Sequence, residues 1–104
     1  MNANGMARGY IAKQGTTERL TRHFKKTIQS VLEEYEEDYE FKVEQDRFII
    51  VASGTSYDVN LPVHRIYELK QKGPYALDRY FWRQLEAQGF PVKKDDHYMQ
   101  TVNP

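Results

Sequence analysis

The chain has 104 residues, 15 Lys or Arg balanced by 15 Asp or Glu, and no Cys. That length fits one domain. Zero net charge counts against a general nucleic-acid binder, which carries a basic excess. The missing thiols exclude disulfides and Cys-based zinc sites and favour an intracellular, cytoplasmic location.

Apolar residues make up 39% and charged residues 29%, enough for a core and against disorder by composition. No run approaches the ~20 apolar residues of a membrane span, and the N-terminus lacks the apolar region of a signal peptide. No membrane partner is therefore expected. Eight Tyr, five Phe and one Trp should dominate burial, at about 25 cal/mol per Å² of apolar area.

Residues 1–15, MNANGMARGYIAKQG, show no hydrophobic period and read as a flexible arm, with Arg8, Tyr10 and Lys13 available to a partner. Residues 16–104 read as a single α+β domain. Thr16 is a suitable N-cap. After it Leu20, Phe24, Ile28, Val31, Tyr35 and Tyr39 step at helical spacing, which predicts a helix over Thr17–Asp38, about 33 Å long.

The charges on that helix oppose its dipole. Arg19, Arg22, Lys25 and Lys26 lie in the first half, and Glu33, Glu34, Glu36, Glu37 and Asp38 in the second. The macrodipole favours the reverse order by about 0.3–1 kcal/mol per charge near an end. A basic neighbour, a partner, or an antiparallel copy of the helix would reconcile this. In the last case the four basic residues and Glu33, Glu34, Glu36 and Glu37 form a self-association surface.

Tyr39, Phe41 and Val43 then alternate with Glu40, Lys42 and Glu44, before a turn at Gln45-Asp46. Residues 47–52, RFIIVA, are apolar on both faces and read as a central strand covered from two sides or nearly so. Ser53-Gly54-Thr55 is a second turn, and Tyr57, Val59 and Leu61 form a third strand. Short turns make this an antiparallel meander with the long helix across one face.

Pro62 opens a helix whose apolar side is Val63, Ile66 and Tyr67, and Gly73-Pro74 ends it. A second helix restarts near Tyr75. Leu77, Tyr80, Phe81, Trp82 and Leu85 face inward, and Asp78, Arg79, Arg83, Gln84 and Glu86 face out. Gly89 is its C-cap, with Phe90 folding back on the last turn. After Pro91, two short segments flanking Asp95-Asp96 read as a terminal hairpin or a single strand. The expected order is thus α-β-β-β-α-α-β.

No stretch carries a decisive catalytic motif. His23, His64 and His97 have no metal-ligand spacing, though Asp58, Asp95 or Asp96 can join them only by folding. The EEYEEDYE run is a solvated charged face rather than a carboxylate pair with separated pKa values. Ser53 sits in A-S-G-T, which is not a nucleophile elbow. No enzyme activity, cofactor or metal is expected.

The element order of the chain is similar to that of a winged helix-turn-helix, and LEAQGFPVKKDDHYMQTV resembles the end of a recognition helix followed by a wing. That resemblance implies DNA binding, with Arg79 and Arg83 facing the major groove and Lys93, Lys94 and His97 at phosphates. The sequence departs from it in its aromatic second helix and its full meander. Helix, three strands and helix is also the order of double-stranded RNA-binding domains, but PVHRI stands where those carry a basic cluster. The expectation is a small interaction or regulatory domain of the bacterial or phage accessory type. It binds a protein partner or itself, with nucleic-acid binding through Arg79, Arg83, Lys93 and Lys94 as the alternative.

Overall fold

The computed structural model describes residues 3 and 5–103. Its elements are α1 (Gly5–Gln14), α2 (Thr17–Glu33), β1 (Glu40–Glu44), β2 (Arg47–Ala52), β3 (Thr55–Asn60), α3 (Val63–Lys72), α4 (Ala76–Ala87) and α5 (His97–Val102). The class is α+β, with an antiparallel sheet in the order β1-β2-β3. Two features differ from the expected order: a helix precedes α2, and a helix rather than a hairpin or strand ends the chain. No described helix is long and apolar enough to cross a membrane.

The meander is local turn chemistry. Glu44 pairs with Arg47 across Gln45-Asp46, and Ala52 with Thr55 across Ser53-Gly54. Ser53 and Gly54 both take positive φ, 38° and 81°, as a two-residue turn between twisted strands requires. Phe41, Val43, Phe48, Ile50, Tyr57 and Val59 share the face that meets the core. The opposite face carries charge, with Ile49 and Val51 as its apolar residues, and Ile49 is 4% exposed yet lies outside the core cluster. Its cross-strand neighbours are Lys42 and Asp58, with Arg47 bonded to Asp58 alongside. Long charged side chains, rather than a second layer, account for its burial.

Thr16 caps α2 as expected, its hydroxyl accepting the Arg19 N–H at 3.0 Å. Phe24 of α2, Phe48 of β2 and Phe81 of α4 meet with ring centroids 5.2–6.3 Å apart, joining helix, sheet and helix. On α3 the buried residues are Ile66 and Leu69, while Val63 and Tyr67 are 68% and 55% exposed. The predicted apolar side of that helix is therefore rotated from the observed one. α4 ends as predicted. Gly89 has φ 96°, its N–H bonds to the Glu86 carbonyl, and the Phe90 N–H bonds to the Leu85 carbonyl, both at 3.0 Å. Phe90 then meets Tyr35, Tyr39, Tyr57 and Trp82.

The predicted wing is α5 because Tyr98, Met99 and Val102, its buried residues, follow helical spacing and not alternation. Asp96 stands at its N-cap. Trp82 Nε1 donates to Tyr98 Oη at 3.0 Å, which seats α5 on α4.

The stretch expected as a flexible arm holds α1 over Gly5–Gln14; Met1, Asn2 and Asn4 of that arm lie outside the described residues. What binds α1 is a buried ion pair rather than an apolar stripe. Arg8 and Asp78 are both buried and paired, and Asp78 also accepts from the Tyr98 hydroxyl. Arg8 further donates to the Thr27 hydroxyl at 3.2 Å, the Pro74 carbonyl at 3.3 Å and His23 Nδ1 at 3.3 Å, and lies over the Tyr75 ring. Asp78, read from sequence as facing out, is thus the anchor of a network spanning α1, α2, α4 and α5. Burial pushes its carboxyl above the usual carboxylate range, against the opposing pull of Arg8. Desolvation, then the adjacent guanidinium, lowers His23, which suits a neutral ring accepting from Arg8.

Removing one member of a buried pair leaves the other uncompensated. Arg8→Met is expected to cost about 3–5 kcal/mol in urea unfolding, and the Arg8→Met, Asp78→Leu double variant to recover part of it. A single-variant loss within about 0.5 kcal/mol would contradict the anchoring role.

Candidate functional site

The predicted helix to Asp38 stops five residues early. Past Glu33 the chain tightens: Glu34 N–H bonds to the Val31 carbonyl and Tyr35 N–H to the Leu32 carbonyl, both at 3.1 Å. Continuing the helix would set Glu34, Glu36, Glu37 and Asp38 against the negative end of its dipole. Instead Tyr35 and Tyr39 turn onto Phe90, at 5.6 and 5.1 Å. The basic neighbour is Lys93, whose Nζ donates to the Glu34 carbonyl at 3.2 Å and lies 4.8 Å from the Tyr35 ring centroid.

This reversal opens a cleft of about 450 Å³ between the end of α2 and β1. Gln29, Leu32 and Glu33 line one side, Tyr39 and Phe41 the other, and Tyr35, Glu37 and Asp38 the end. The lining holds three carboxylates and no cationic side chain. A second concavity of about 420 Å³ continues past Tyr35 and Tyr39 to Pro91, Val92 and Lys93. Desolvation, then the hydrogen bond with and charge of Glu37, pushes the Tyr39 phenol up to about 12. Burial raises Tyr35 too, opposed by the Lys93 backbone N–H that donates to its oxygen at 3.0 Å.

The residues assigned to nucleic acid are engaged within the chain. Arg79 Nε donates to the Val102 carbonyl at 2.7 Å, and Arg83 Nε to Asn103 Oδ1 at 3.3 Å, so both tie down the end of α5. Lys94 pairs with Glu86 at 2.6 Å. Arg83 and Lys94 line one shallow cleft, Arg79 and Arg83 another, and Lys93 sits apart at the end of α2. The wing that would carry Lys93, Lys94 and His97 to phosphates is a loop and α5.

Of the residues assigned to self-association, Arg19 lies over the Tyr10 ring, Arg22 is exposed on the first half of α2, and Lys26 is exposed just past its middle. Lys25 is half-buried beside them. Glu33 and Glu37 reach the cleft, while Glu34 and Glu36 are exposed on the same turn. His23, His64 and His97 are dispersed, and no group of His, Cys, Asp or Glu among the described residues could hold a metal ion. Sequence reasoning missed the part of Tyr35, Tyr39 and Phe41 in the cleft. Their spacing fits a helix and a strand face, and only the reversal between those elements brings them together.

No family model, curated protein or solved structure matches the chain.

Since a neighbouring carboxylate disfavours tyrosinate, Glu37→Gln should lower the Tyr39 pKa from about 12 towards its ordinary 10.0. Titration of the Tyr39 ring resonances by NMR reads this directly. An unmoved value would show that Glu37 does not act on the ring.

Proposed function

We propose that the protein is a small non-enzymatic interaction domain that binds a protein partner through the acidic, aromatic end of α2. The observation that carries this reading is the open cleft of Glu33, Glu37, Asp38, Tyr39 and Phe41, continuous with the outer edge of the sheet. Aromatic rings supply contact area at low conformational cost, and unopposed carboxylates supply orientation. The charge on α2 favours self-association as a second reading. Exposed Arg19 and Arg22 lie towards the end opposite Glu33 and Glu34, with exposed Lys26 near the middle, so an antiparallel copy would meet opposite charge on both sides.

Affinity purification of the tagged full chain from its native cells tests the first reading. A specific partner should be retained by the wild type and lost by a Glu33→Lys, Glu37→Lys, Asp38→Lys variant with an unchanged melting curve. Equal recovery by both chains, or none by either, would contradict it. Sedimentation tests the second. Self-association predicts a concentration-dependent mass that falls when Glu33, Glu34, Glu36 and Glu37 are changed to Lys, and a constant monomer mass in both chains would sink it.

A further inference from the structure

The two outer strands of the sheet end differently. In a two-residue hairpin the residues flanking the loop form a hydrogen-bonded pair, so Glu44 bonds to Arg47, and alternation assigns Lys42 and Glu40 to β2 as well. The amides of Phe41 and Val43 therefore face away from the sheet. The same reasoning at β3 leaves Ser56, Asp58 and Asn60 facing outward, and there the structure supplies a partner. Gln88 Oε1 accepts the Asp58 N–H at 3.1 Å, and Gln88 Nε2 donates to the Asp58 carbonyl at 2.6 Å. One side-chain amide thus stands in for a neighbouring strand at β3. No backbone or side-chain group among the described residues does so for Phe41 or Val43 at β1.

The free edge begins beside the carboxylate-lined cleft, which Phe41 of β1 and Tyr39 just before it line, with the end of α2 as the far wall. A strand edge beside a helix-walled groove is the geometry of strand addition: backbone hydrogen bonds give affinity, and alternate side chains entering the groove give specificity. We propose that β1 accepts an extended peptide from a partner protein as a fourth strand, with Lys or Arg at alternate positions entering the cleft. This rests on the interaction reading above and names its partner chemistry.

The occupant follows from the lining. Glu33 and Asp38 have no ion-pair partner among the described residues, and the cleft contains no cation of its own. Groove-facing cations satisfy these carboxylates, and their aliphatic stems cover Leu32 and Phe41. Tyr39 and Phe41 line the cleft at alternate positions, which allows about two groove-facing positions on the added strand. A second copy paired through β1 fits worse, because it would bring a second carboxylate-lined cleft to the same seam. Opposed like charges are unfavourable in such a seam.

The test is an NMR titration of the full ¹⁵N-labelled chain with a capped heptapeptide alternating Lys and Val. Strand addition predicts saturable binding with the largest shifts at the Phe41 and Val43 amides. It predicts no binding of the matching Glu-Val peptide, and about tenfold weaker binding to a Glu33→Gln, Asp38→Asn variant. Two N-methylated peptides, one blocked at the Lys amides and one at the Val amides, supply the decisive contrast. One should bind about tenfold more weakly and the other close to the parent, since only alternate amides point at β1. Both binding like the parent would reduce the contact to charge adsorption and overturn the proposal, as would no binding of the Lys-Val peptide. If the peptide fails while the acidic variant still loses its native partner, the interaction reading stands and strand addition alone is wrong.

Discussion

A helix ends in unpaired carbonyls, and carboxylates cannot be stacked upon them without cost. In this chain that constraint falls at Glu33, where an apolar stripe still in register runs into Glu34, Glu36, Glu37 and Asp38. The stripe is resolved by bending: Tyr35 and Tyr39 keep their contact with the core by moving onto Phe90. The acidic side chains are carried to the surface, and Lys93 serves the end of α2 that they cannot. β1 starts immediately after the bend, so the carboxylates, the two tyrosines and the outer edge of the sheet come together for one reason.

The rest of the molecule holds that bend in place. Phe90 reaches Tyr35 and Tyr39 only because Gly89 closes α4 with a left-handed turn that sends the chain back along the helix. α4 is in turn fixed from its far end, where Asp78 gathers Arg8 and Tyr98. The two halves of α4 therefore have different tasks. Its first turn ties the terminal helices α1 and α5 through buried polar contacts, and its last turn organises the aromatic cluster behind the cleft. Buried ion pairs contribute little net stability compared with apolar packing of equal volume, but they punish any arrangement that separates the partners. Such a pair suits α1, whose only buried residues are Arg8 and Ile11.

Legibility in the sequence followed the range of the interactions. The three strands, both hairpin turns, the Thr16 cap and the Gly89 stop depend on neighbours a few residues away, and the local pattern shows them. Arg8 and Asp78 are 70 residues apart, so neither a helix in the arm nor a buried carboxylate on α4 has a local signal. The end of α2 was legible in part: the wrong-way charges are visible, and a basic neighbour was among the ways to reconcile them, but Lys93 comes from a distant loop. In the C-terminal segment Tyr98, Met99 and Val102 carry a helical spacing that six residues make easy to read as a strand. The cleft has no local signal because its residues belong to two elements, and only the reversal at 34–38 unites them.

Whether β1 is an unpaired edge beside α2 is tested most directly by amide hydrogen exchange of the free protein. The Lys42 amide, bonded to β2, should exchange slowly, while the Phe41 and Val43 amides on either side of it exchange as fast as exposed loop positions. Equal protection of all three would mean that the edge is already covered, and the cleft would then be no place for a partner.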